Sequence, residues 1–135
     1  MEVKGNLTVT GVINGDGSGI TNVKPVLSRT ITYEAPTAAD DITIFRADVA
    51  ITVQEVIAVS TGTTPSTTYQ LKHGTDRSAV GNDLTTSGTT TNTTTGDVAT
   101  LSDATIPADS FVWLETTAAS GTDVILSIDI RYTED

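Results

Sequence analysis

The residues best suited to acid–base or nucleophilic chemistry gather around His73, the sole histidine of the chain. A single histidine excludes a two-histidine metal site and leaves one obvious general base. Ser78 and Asp76 stand nearby in GTDRSAVGND, so a Ser-His-Asp arrangement can be written down. All three fall in one glycine-bounded turn, however, where Asp and Ser serve the backbone as local hydrogen-bond partners. The expectation is a polar strand end and no catalytic residue. Two carboxylate pairs, Asp40 with Asp41 and Asp97 with Asp103, are the other acid–base candidates, and a hydrolase acting on polysaccharide would need such a pair. Loop aspartates more commonly bond their own turns. Phe111 and Trp113, two apart on one strand face, are the possible ligand-contacting pair; beside Val112 and Leu114 they also suit core or interface packing.

NGDGSG at residues 14–19 imitates the opening of a calcium loop, with Asn14, Asp16 and Ser18 alternating as oxygen donors. Pro25 stands where the bidentate glutamate of such a loop belongs, and the flanks are strand-like, so the segment is expected to be a turn. It also lacks the lysine and following helix of a phosphate-binding loop. No cofactor and no metal site are expected.

These residues must be positioned by strands. TDVILSIDIRY, residues 122–132, alternates Val124, Leu126, Ile128, Ile130 and Tyr132 with Ile125, Ser127, Asp129 and Arg131, which directs five apolar side chains to one face. That face needs a second layer. Further strands are expected over residues 28–33, 42–45, 50–60, 67–73, 84–87, 98–101 and 111–117, with turn residues between them. In the third of these, strict alternation puts Glu55 on the same face as Ile51, Val53, Ile57 and Val59, so either a bulge re-aims it or a polar partner meets it. The threonine-rich run 85–95 is expected to be a mobile loop or hairpin tip. The fold class expected is all-β: an antiparallel β-sandwich or jelly roll of about eight strands, residues 26–135, preceded by a short N-terminal β arm, residues 1–25. The arm, with its glycine-rich turn, is too small to bury its own apolar side chains and must lean on a partner.

Composition agrees. The 135 residues contain 28 threonines, few aromatics and no cysteine, which favours β-branched packing and excludes disulfides, thiolate metal sites and a cysteine nucleophile. The net charge of −10, with only seven Lys and Arg, opposes binding to a nucleic-acid backbone or an anionic membrane. Neither an export signal nor an apolar run of membrane-spanning length is visible.

GNLTVTGVINGDGSGITNV resembles the short modules found in trimeric fibre and other virion proteins of tailed bacteriophages, in which an NLTVTG strand precedes a GDGSG-hydrophobic-T loop. The resemblance implies a non-enzymatic virion surface protein, made in the host cytoplasm and carried on the capsid exterior. A chain of this length, opening at Met1 with one arm and one compact domain, suits a homotrimeric capsid decoration (cement) protein that holds the major capsid protein. Leu7, Val9, Val12, Ile13 and Ile20 are the expected anchoring side chains. The alternative is the receptor-binding tip of a short tail fibre, engaging a host glycan through residues 85–97 or through Phe111 and Trp113.

Overall fold

A computed structural model describes residues 24–135, so residues 1–23 of the expected arm, with the anchoring residues Leu7, Val9, Val12, Ile13 and Ile20, lie outside the described residues. The described chain is all-β. Its elements are β1 (Leu27–Glu34), β2 (Asp41–Ala47), β3 (Ile51–Gly74), β4 (Asn82–Asp83), β5 (Gly88–Thr90), β6 (Asp97–Val98), β7 (Thr105–Ile106) and β8 (Ser110–Glu134). All pairings are antiparallel and belong to one eight-stranded sheet.

The frame of this sheet is the pair β3 and β8, which run together from Ile51↔Glu134 to Gly74↔Phe111. Their length forces a fold. Phe45 on β2 pairs with Val112 near the start of β8, yet its ring stacks on Tyr132 near the end of the same strand, centroids 6.1 Å apart. Twenty residues of extended chain would span about 66 Å. Both long strands therefore double back, and the sheet packs against itself as two layers. The first layer holds Ile51–Thr61 of β3 and Ile125–Glu134 of β8, flanked by β1, β6 and β7; the second holds Ser66–Gly74 and Ser110–Ser120, flanked by β2, β4 and β5.

The bend is written in the backbone. Register shifts separate Thr61 from Thr63 and Thr63 from Ser66, and four residues there take positive φ: Gly62, Thr64, Gly121 and Asp123. The two glycines are needed for clearance as well as for φ. A Cβ on Gly62 would lie 2.8 Å from the carbonyl oxygens of Thr122 and Asp123, and one on Gly121 would lie 2.8 Å from that of Thr64. Here the structure departs from the sequence reading in detail. Segments 50–60 and 67–73 are halves of one strand, as are 111–117 and 122–132, while four short strands fill 82–106.

The core lies between the layers. From the first come Ile51, Val53, Val56, Ala58, Leu126, Ile128, Ile130 and Tyr132, and from the second Tyr69, Leu71, Val112 and Leu114, closed by Leu84 and Ile106. Glu55 is turned away from this core by a bulge between Val53 and Glu55, and it accepts a hydrogen bond from Arg131 at 3.1 Å, so both expected remedies operate. The same bulge buries Val56 and Ala58 and leaves Ile57 and Val59 half-buried on the outer face. On the β3 side the layers are tied together by a bridge between Thr85 and Leu101 and by amide hydrogen bonds from Thr86 to Thr100, Ser102 to Leu84 and Asp103 to Asp83. On the opposite side, β1 and β2 each pair only with β8 among the described residues.

Candidate functional site

His73 is the penultimate residue of β3, its side chain on the inner face of the second layer and 1% exposed. Its partner is Asp103, not Asp76: Nε2 and a carboxylate oxygen of Asp103 lie 3.2 Å apart. An ionised carboxylate only accepts, so Nε2 carries the hydrogen in this contact. Asp76 instead accepts from the amide of Ser78 at 2.8 Å and from its hydroxyl at 2.7 Å, which closes a local turn and lowers the acid's pKa below its ordinary value. The triad that can be written from the sequence is therefore not assembled.

A different serine stands beside the ring. His73 pairs with Val112, which makes Ser110 its diagonal neighbour on the same face. Ser110 is placed by the turn Pro107–Ser110, whose ends are joined by an amide-to-carbonyl bond of 3.3 Å and in which Asp109 takes a left-handed φ of 65°. Arg46 braces that turn by pairing with Asp109. Like His73, Ser110 is 1% exposed. Among the described residues two buried side-chain polar atoms have no hydrogen-bond partner, and they are Nδ1 of His73 and Oγ of Ser110.

Both residues line one cavity of about 300 Å³, together with Gly74, Thr75, Asp76, Ala79, Gly81, Asn82 and Pro107. Its outer wall is the segment 75–81, which is clamped over Trp113. Trp113 faces outward from the sheet but is fully buried, because Arg77 stacks 4.3 Å from its ring centroid and Gly81 lies against its edge. Arg77 is held in turn by Thr43 at 2.9 Å and by Asp41 on β2. The indole Nε1 donates to Glu115 at 2.9 Å. Only glycine fits at position 81, where φ is +71° and a Cβ would meet the indole at 2.2 Å.

The remaining sequence candidates are distributed as follows. Phe111 is half-buried on the outer face, and Trp113 beside it is covered, so the pair presents no open aromatic platform in this conformation. Asp40 serves a turn. Burial opposes its charge, but hydrogen bonds from the Thr37 hydroxyl and amide outweigh that and hold its pKa below the ordinary value. Asp41 pairs with Arg77, and Asp97 accepts from Thr90 at 2.7 Å. Within the run 85–95, Thr85 bridges to Leu101 and residues 88–90 form β5, while 91–95 is a bend between strands. Thr85 and Thr90 are buried, the hydroxyl of Thr85 accepting from the Leu71 amide at 3.0 Å. A threonine can bury its methyl while its hydroxyl stays bonded, which is how a polar run enters a core.

Sequence reasoning picked out His73 but missed Asp103 and Ser110 as its neighbours, since 30 and 37 residues separate them along the chain. No local pattern carries that proximity; it is created by β8 and β7 returning to β3.

No protein-family model matches the chain, and no curated protein matches it. Solved structures do. A chain in the capsid asymmetric unit of cyanophage Pam1 superposes with a TM-score of 0.53 at 16% identity, covering 98% of this chain and 100% of that one. A chain from the infectious bursal disease virus Gx strain gives a TM-score of 0.43 at 10% identity, covering 92% of this chain but 36% of its own length. The first comparison shows that the described fold is shared from end to end with a chain of a phage capsid structure.

Proposed function

We propose that this chain is a structural protein of a virus particle and not an enzyme, and that it decorates the exterior of a phage head as a homotrimer. The observation that carries this reading is the fold shared over full length with a chain of the cyanophage Pam1 capsid asymmetric unit. The N-terminal NLTVTG and GDGSGIT segments and the acidic body are consistent with it. Residues 1–25 are the proposed anchor, with Leu7, Val9, Val12, Ile13 and Ile20 contacting the major capsid protein.

The mechanism is linkage. A protein that binds the closed shell and not its separated subunits stabilises the shell by the free energy of binding, about 2.7 kcal/mol per site at a hundredfold excess over Kd. Three arms on one trimer raise the effective concentration of the second and third after the first has bound.

The test is cosedimentation of the full-length protein, and of a chain beginning at Val26, with empty heads of the parent virus. Saturable binding at many copies per head by the full-length chain, lost on removing residues 1–25, is the expected result. Equal binding by both chains would refute the anchor, and binding by neither would refute the decoration role.

A further inference from the structure

An edge strand leaves a row of backbone N–H and C=O groups open to any strand that fits them, and proteins guard such edges with bulges, lysine or proline. Among the described residues, β1 has β8 on one side and no strand on the other. It runs with β8 for eight residues without a register shift and contains neither lysine nor proline. β2, the other strand on this side, is broken by a bulge between Thr43 and Phe45. The open groups of β1 can be named. The amide of Ala35 donates to the carbonyl of Val124 at 2.8 Å and continues the β1–β8 register, so Ala35 and Val124 form a bonded pair. Bonded pairs alternate along an antiparallel ladder, which points the N–H and C=O groups of Ser28, Thr30, Thr32 and Glu34 to the open edge. Beside that edge the seam between the layers is incompletely closed. Leu27, Ile31 and Tyr33 of β1 and Ile42, Ile44 and Phe45 of β2 are all half-buried.

We infer that in the free protein residues 6–13 of the same chain add to this edge as an antiparallel strand, with Ile13 opposite Leu27 and Asn6 opposite Glu34. The chain outside the described residues ends at the right place: Lys24, three residues before β1, pairs with Asp135 at 3.6 Å. Residues 14–26 make the connection and open on NGDGSG, a run of turn formers. Side chains select the register, since residues directly opposite in a β pair share a face. Leu7, Val9 and Ile13 fall opposite Tyr33, Ile31 and Leu27 and close the seam. Gly11 falls opposite Arg29, whose guanidinium lies 5.8 Å from the Phe45 ring centroid and needs the room. On the outer face Thr8 and Thr10 meet Thr32 and Thr30, a favoured cross-strand pairing. A slip of one residue would turn Leu7, Val9 and Ile13 to solvent. A second copy is the poorer occupant, because each copy carries a net charge of −10 and the tethered arm has the higher local concentration. The proposed shell anchor is thereby stowed on β1 until the shell takes it, and only that consequence rests on the decoration reading.

Amide hydrogen exchange on the full-length protein, with no capsid present, tests the pairing separately from the decoration role. The amides of Thr30 and Thr32 are expected to exchange at least about tenfold more slowly than in Thr10→Pro, which removes from the arm the N–H that would bond to Thr30. The amide of Ile31, which bonds to β8, should stay protected in both. The chain has no cysteine, so a disulfide can report the register. Thr8→Cys combined with Thr32→Cys should oxidise to an intramolecular disulfide, the Cα atoms of such a bonded pair lying about 5.5 Å apart. Val9→Cys combined with Thr32→Cys puts the two thiols on opposite faces and should not. The inference is overturned if Thr30 and Thr32 exchange equally fast in the parent and in Thr10→Pro, or if both cysteine pairs oxidise equally well. Protection that rises with protein concentration, or disulfides formed only between chains, would also overturn it, because a second copy would then occupy the edge.

Discussion

Single side chains in this protein are tuned by whether burial leaves them a partner. Tyr69 on β3 is 3% exposed; burial, reinforced by the nearby Asp97 carboxylate, pushes its phenol up to about 12. Tyr33 is also raised, by desolvation and by Asp40. The folded chain thus holds the Tyr69 proton more tightly than the unfolded chain. The stability this confers is complete below the unfolded value near pH ~10 and is lost as pH rises through about 12. Ultraviolet absorbance of tyrosinate should show Tyr69 ionising late and together with unfolding, and Tyr69→Phe should remove that late component. Ionisation of all three tyrosines near pH ~10 with the fold intact would contradict the burial of Tyr69. The clamp on Trp113 follows the same logic: an outward-facing indole becomes buried because Arg77 covers its face, Glu115 takes its N–H, and glycine at position 81 lets the backbone approach.

Among the elements, the doubled-back pair β3 and β8 decides the architecture, and its bend is the sensitive point. Gly121→Ala places a methyl 2.8 Å from the Thr64 carbonyl oxygen at a φ of +111°, and Gly62→Ala does the same against Thr122 and Asp123 at +129°. Each should cost at least about 2 kcal/mol, from left-handed strain and backbone contact together. Gly88→Ala is the matched control, because nothing lies within 4 Å of its added Cβ; it should be neutral or slightly stabilising. Urea midpoints for the three variants check this, and equal midpoints would mean that the bend relaxes without penalty.

At the scale of the molecule, both long strands pass through both layers, so neither layer can come apart alone. Leu71→Ala empties space in the second layer and Ile128→Ala in the first, and each should cost about 2–5 kcal/mol. Trp113 fluorescence reports the second layer and circular dichroism the whole sheet. The two probes should give coincident urea transitions in both variants, as a single cooperative unit requires. A split transition in Ile128→Ala, with Trp113 unaffected at the first step, would show that the layers unfold separately.

The sequence by itself determined the all-β class, the alternation that buries Val124, Leu126, Ile128, Ile130 and Tyr132, and the need for Glu55 to escape the core, because side-chain period and polarity are local properties. It also singled out His73 as the one imidazole. What only the tertiary structure decided was which segments are one strand and which residues meet. Gly62, Thr64 and Pro65 look like a turn between two strands, yet pairing between β3 and β8 continues through Thr63↔Thr122, since the partner strand bends at the matching place. Nor could local pattern show that Asp103 and Ser110 flank His73, that Trp113 is roofed by Arg77, or that threonines 85 and 90 are interior. Those are long-range pairings, and the free energy that selects them comes from the burial of both layers at once.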